Sequence, residues 1–124
     1  MPEYIAMAKA NQAWVAWRVD DPVLSQELGD VALQFWRQVP GGHASAPFQW
    51  LAYFPLIAVA LQQDKVFLAV NDARALLDPI LQRLPDTLIT TLERAIQAWD
   101  RNRIESACAL LNQSITLAQE MHYL

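Results

Sequence analysis

Three observations predict an all-α fold, an array of three antiparallel helical hairpins. Apolar residues return every three or four positions along six stretches, the period of one face of a helix. The breaks between these stretches are short and built from Asp, Asn, Pro and Gly. Small residues recur at a constant offset of 82 positions between the first and last thirds of the chain. A length of 124 residues suits one helical domain, 1–124, with hairpins over about 3–39, 47–84 and 86–122.

In the first helix, Glu3 to Val19, the stripe is Ile5, Ala8, Ala13, Trp14, Ala16 and Trp17, and Asp20-Asp21 ends it. Asp21 is a capping residue and Pro22 suits a first turn, where its missing N–H costs nothing, so a second helix is expected from there to about Gln38. Its face is Leu24, Leu28, Val31, Ala32, Phe35 and Trp36. Gly29 inside it costs about 1 kcal/mol against Ala, which points to a close approach of a neighbouring helix. Pro40-Gly41-Gly42-His43-Ala44-Ser45 is the strongest break and reads as a connector.

The third helix, about Pro47 to Gln62, carries Phe48, Leu51, Ala52, Leu56, Val59 and Ala60, and Pro55 removes one of its backbone donors and predicts a kink. The fourth follows Asp64 and runs to about Leu77, after which Asp78-Pro79 predicts a separate short helical turn over Ile80 to Leu84. Pro85-Asp86 repeats the start signal, and Leu88, Ile89, Leu92, Ala95, Ile96 and Trp99 form the cleanest stripe in the chain. Asn102, which tolerates left-handed backbone, marks a tight turn before the sixth helix, Ile104 to about Met121.

Ala13, Ala16, Ser25 and Ala32 correspond at that constant offset to Ala95, Ala98, Ala107 and Ser114. All eight are small, and small residues in both helices of a hairpin let neighbouring pairs pack closely; Ala13, Ala95 and Ala107 are expected at such contacts. This spacing, with Ala107-x3-Leu111 and the Pro40 and Pro85 positions, resembles the tetratricopeptide repeat. The middle pair fits through Ala69-x3-Ala73, but Ile57 stands where a small residue belongs. The segments Asn11–Arg18 and Pro47–Ala52 resemble the degenerate repeats at the C-terminal end of large bacterial ATPase/adenylate-cyclase-like or transcription-activator regulators. The resemblance implies a short right-handed array and a place inside a larger signalling regulator, and it carries no catalytic residue with it.

Composition narrows the function. Hydrophobic residues are 54% and charged residues 18%, which describes a globular chain. A net charge of −4, with basic residues spread singly, gives no footprint for nucleic acid. The longest apolar run, Phe54 to Leu61, falls short of a membrane span, and a cytoplasmic location is the expectation. His43, His122 and Cys108 are too far apart for a metal site, and neither His has a nucleophile set beside it. Cys108, on an apolar helical face, reads as a small buried thiol, and Asp20-Asp21 as capping residues. No catalytic, metal or cofactor site is therefore expected, and the chain is read as a non-enzyme.

The five Trp are more telling. Trp14, Trp17, Phe54 and Trp99 fall at equivalent parts of the three first helices, which line the concave face in stacked hairpins. The expected function is a protein–protein interaction or scaffolding module whose binding face holds Trp17, Arg18, Phe54 and Trp99, with Trp14 turned toward the core. Its partner is a protein, a peptide or neighbouring repeats of a parent chain. A second reading is a small-molecule sensor with an apolar pocket opened at Pro55 and lined by Trp50 and Phe54; a third is a purely structural segment. The first helix carries Ile5, Met7, Trp14, Val15 and Trp17 on more than one side, which predicts a two-fold homodimer through the first hairpin.

Overall fold

Each stretch with helical spacing is a helix in the computed structural model, which describes residues 2–38, 49–78 and 84–124, with side chains from Tyr4 onward. The helices are α1 Pro2–Arg18, α2 Pro22–Gln38, α3 Trp50–Gln62, α4 Val66–Leu76, α5 Asp86–Asp100 and α6 Ile104–Glu120. No strand occurs among the described residues. The connector Pro40–Ser45, the Pro47-Phe48 start of the third helix and the turn predicted after Asp78 fall on, or extend into, positions outside the described residues. No helix is long and apolar enough to cross a membrane among the described residues.

One turn geometry recurs at the ends of four helices. Asp20, Asp64, Asn102 and His122 have φ of 64°, 57°, 60° and 65°, the left-handed region. In each case the next residue's N–H reaches back five positions: Asp21 to the Ala16 carbonyl, Lys65 to Ala60, Arg103 to Ala98 and Tyr123 to Ala118, at 2.7–2.9 Å. The left-handed residue itself donates to a carbonyl three positions earlier. These are Schellman closures, which satisfy carbonyls that the helix end would leave unpaired. The carbonyl that receives the longer bond belongs to a buried alanine in all four. Asp21 also caps the start of α2, its Oδ1 accepting from the Leu24 N–H at 3.2 Å, as its place before Pro22 predicts. At α5, by contrast, extended Pro85 precedes the helix and Asp86 lies in its first turn, where a carboxylate favours the positive helix end.

Packing joins α1 to α2, α3 to α4 and α5 to α6, and α3 also touches α1, α2 and α6. With neighbours around it, α3 is buried along its whole middle, Ala52 through Ala60. A helix that is apolar on every side belongs in a core, and Ile57 fits there where a small residue would leave a hole. The helix runs unbroken from Trp50 to Gln62 with Pro55 inside it. In the last pair it is α6 that packs on α3, while α5 packs on α4 and α6. An exposed ion pair, Arg74 with Asp100, joins α4 to the end of α5.

All eight small residues of the 82-residue correspondence are buried, at 0–8% exposure. Ser25 turns its hydroxyl to the Ala13 carbonyl at 2.8 Å, so even the polar member of the first pair is satisfied across the α1–α2 contact. Gly29 serves the close approach expected of it, because a Cβ there would lie 2.9 Å from Leu56 Cγ. Gly29→Ala is thus expected to lower stability by about 1 kcal/mol, the overpacking against buried Leu56 outweighing the better helix propensity. Urea unfolding measures it, and a gain in stability would show that Leu56 yields freely.

Candidate functional site

Because α1 and α6 both lie against α3, a groove opens with α3 as its floor. Trp17, half-buried near the end of α1, stands in the middle of it. On one side Trp17 shares a recess of about 250 Å³ with Ala58, Leu61, Gln62, Asn112 and Ile115. On the other it shares one of about 470 Å³ with Arg18, Asp20, Gln119, His122 and Leu124. The first recess is largely aliphatic with two side-chain amides; the second mixes a guanidinium, a carboxylate and an imidazole with apolar surface. Together they suit an extended segment, whose apolar side chain would rest on Trp17 and whose main-chain groups would meet the flanking amides.

One end of the groove is filled by the chain itself. After the left-handed turn at His122, Tyr123 sets its ring edge-on to Trp50 at 4.9 Å between centroids and tilted against Phe54 at 5.9 Å. The Trp14 indole N–H donates to the Tyr123 main-chain oxygen at 3.0 Å, and Arg18 donates to that of Leu124 at 3.2 Å. Arg18 also lies over the Trp14 ring, its guanidinium carbon 4.7 Å from the centroid, so a cation–π contact holds the guanidinium in place. Leu124 is buried.

The four residues expected on the binding face therefore separate. Trp17 and Arg18 meet in the groove. Phe54 does not, since it is 0% exposed and belongs to the core; α3 lies under its neighbours, and the first-helix alignment places Phe54 on a buried side. Trp99 is on α5, half-buried, and packs against the core in the part of the fold that contacts α4 and α6. The space beside Trp50 and Phe54, expected to open at Pro55, receives the Tyr123 ring. The roles of Tyr123 and Leu124 were not foreseen, and the signal for them is faint: an aromatic and a leucine directly after a helix end.

A second group of titratable residues gathers from α2, α3 and α4. Burial raises the Asp72 carboxyl to about 7, with the charge of Asp30 adding to the shift and Arg37 opposing it. Asp30 is raised by partial burial against the same arginine, and Tyr53 is raised by burial, then by Asp72. Asp72 is thus a proton acceptor near neutral pH. It was legible in principle, since it sits in phase with Ala69 and Leu76 on the buried stripe of α4. Cys108 is half-buried, and the Asn112 amide donates to its carbonyl at 3.0 Å. No group of three His, Cys, Asp or Glu placed to hold a metal ion occurs among the described residues.

Comparison of the chain with protein-family models, with curated proteins and with solved structures finds no match.

Proposed function

We propose that this chain is a non-catalytic binding module that holds an extended segment of a partner protein across Trp17. The observation that carries this reading is the groove of two recesses that share Trp17, walled by α1 and α6 over α3. Its architecture is read as three antiparallel hairpins of degenerate tetratricopeptide type. Support comes from the same left-handed turn between α1 and α2, α3 and α4, and α5 and α6, and from the buried small residues at matched positions. The last hairpin departs from a regular array by turning α6 toward α3, which brings α6 into the groove wall. As a scaffold of this kind the module would serve within a larger signalling or transcriptional regulator.

Selection from a library of displayed peptides tests the reading. Extended peptides with a large apolar residue are expected to bind the purified protein, and Trp17→Ala is expected to weaken them at least tenfold, about 1.4 kcal/mol or more. The helical signal should be kept, while the melting midpoint falls somewhat because Trp17 also packs, half-buried, against the core. Failure to select any peptide, or equal binding by Trp17→Ala, overturns the assignment.

A further inference from the structure

Helix α1 carries apolar residues on more than one side. Ala6, Ala10, Ala13 and Ala16 face the rest of the protein and are buried. Met7, Trp14 and Trp17 also pack against the core, yet on another side Ile5, Val15 and, just past the helix end, Val19 stay 40%, 52% and 69% exposed. With Ala8 and Gln12, also exposed, they form the series Ile5, Ala8, Gln12, Val15, Val19, whose spacings alternate three and four. This is the heptad seam by which one helix packs along another.

We infer that this seam pairs with its own copy in a second molecule, as an antiparallel two-fold contact with Gln12 on the axis. The residue order is what singles out a second copy. Run antiparallel about Gln12, the seam sets Ile5 against the partner copy's Val19 and Ala8 against its Val15, so that larger residues meet each other or fill the space over alanine. Gln12 meets its own counterpart, and an amide both donates and accepts, so the two satisfy each other. A single polar residue of this kind fixes the register of a helical seam.

Charge and area agree with this pairing. The seam itself carries no charged residue, so two chains of net charge −4 meet there without repulsion between facing side chains. Beside it a recess of about 490 Å³, lined among others by Val15, Ala16, Leu24 and Leu28, is almost wholly apolar and can accept side chains from the facing copy. A 17-residue helix is about 25 Å long, and a helix pair about 20 Å wide, so each copy covers about 500 Å². The total, about 1,000 Å², lies at the low end for a specific interface, which fits a dimer that dissociates in the micromolar range.

Sedimentation of the full chain from about 1 to 100 μM should show a monomer–dimer equilibrium and nothing larger, since an isologous contact closes at two. Val15→Glu/Val19→Glu, at exposed positions, should remain monomeric with an unchanged circular dichroism melt. In a Cys108→Ser background, oxidation should cross-link Gln12→Cys across the axis. The same treatment should leave Val15→Cys unlinked, because its two copies stand about 9 Å apart along the helices. A monomer throughout, growth beyond a dimer, a dimer that survives the double glutamate variant, or cross-linking of Val15→Cys as readily as Gln12→Cys would each overturn the inference.

Discussion

Phe54→Ala is expected to lower the free energy of unfolding by about 3–5 kcal/mol, a large part of the margin on which a domain of this size rests. The ring is fully buried in α3, where helices approach from several sides and Tyr123 leans against it. Truncation removes that buried surface and leaves a cavity that surrounding helices, already in contact with α3, collapse into only in part. Urea unfolding followed by circular dichroism gives the figure. A loss below about 1 kcal/mol would place Phe54 at the surface, where the alignment of first helices puts it. Trp17→Ala forms the contrast, since its ring is only half-buried against the core, so it should cost less stability than Phe54→Ala while removing the central ring of the groove.

Asp72→Asn should stabilise the protein above neutral pH by about 1–3 kcal/mol and remove much of its pH dependence. The folded carboxyl titrates at about 7 against 3.8 for an unperturbed aspartate, so between those values the folded state binds the extra proton. Stability is then greatest, as far as this group is concerned, below the unfolded value; it declines as pH rises through about 4 to 7 and levels off above. Partial solvent access keeps the effect below the ceiling of about 4 kcal/mol that the full shift would imply. Arg37→Gln should steepen the decline, because Arg37 holds the shift back. Unfolding free energies at pH 5, 7 and 8.5 separate the variants, and a flat profile for the wild-type chain would contradict the burial of Asp72.

Local chemistry made most of the elements readable. Asp21 before Pro22 and Asn102 between two apolar stripes each have a cause within a few residues, and each does in the fold what that cause predicts, whereas Gly29 announces a close approach without naming Leu56 as the neighbour. The candidate site was half readable. Trp17 and Arg18 lie in the groove, but Phe54 and Trp99 do not, because their positions depend on how helices far apart in sequence are set together. A stripe on α3 does not announce that its other sides are covered as well. Nothing local decides whether α5 or α6 turns toward α3, since both carry an apolar face and matching small residues. The elevated Asp72 depends likewise on Asp30 and Arg37 from another helix.

The docking of Tyr123 and Leu124 onto Trp14 and Arg18 also bears on cooperativity. In an open helical-repeat array each unit touches only its neighbours, so the units at the ends fray first and unfolding can proceed piecemeal. Here contacts separated by 109 and 106 residues tie the segment after α6 to α1. Releasing α6 takes away the acceptor of the Trp14 indole and one partner of Arg18; releasing α1 takes away the donors to the main-chain oxygens of Tyr123 and Leu124. The opening of α1 is thereby coupled to that of α6, and the linkage is expected to make the melting of mostly short-range pairs more cooperative. It also adds long-range contacts to form, so refolding should be slower than the local character of the helix pairs alone would give.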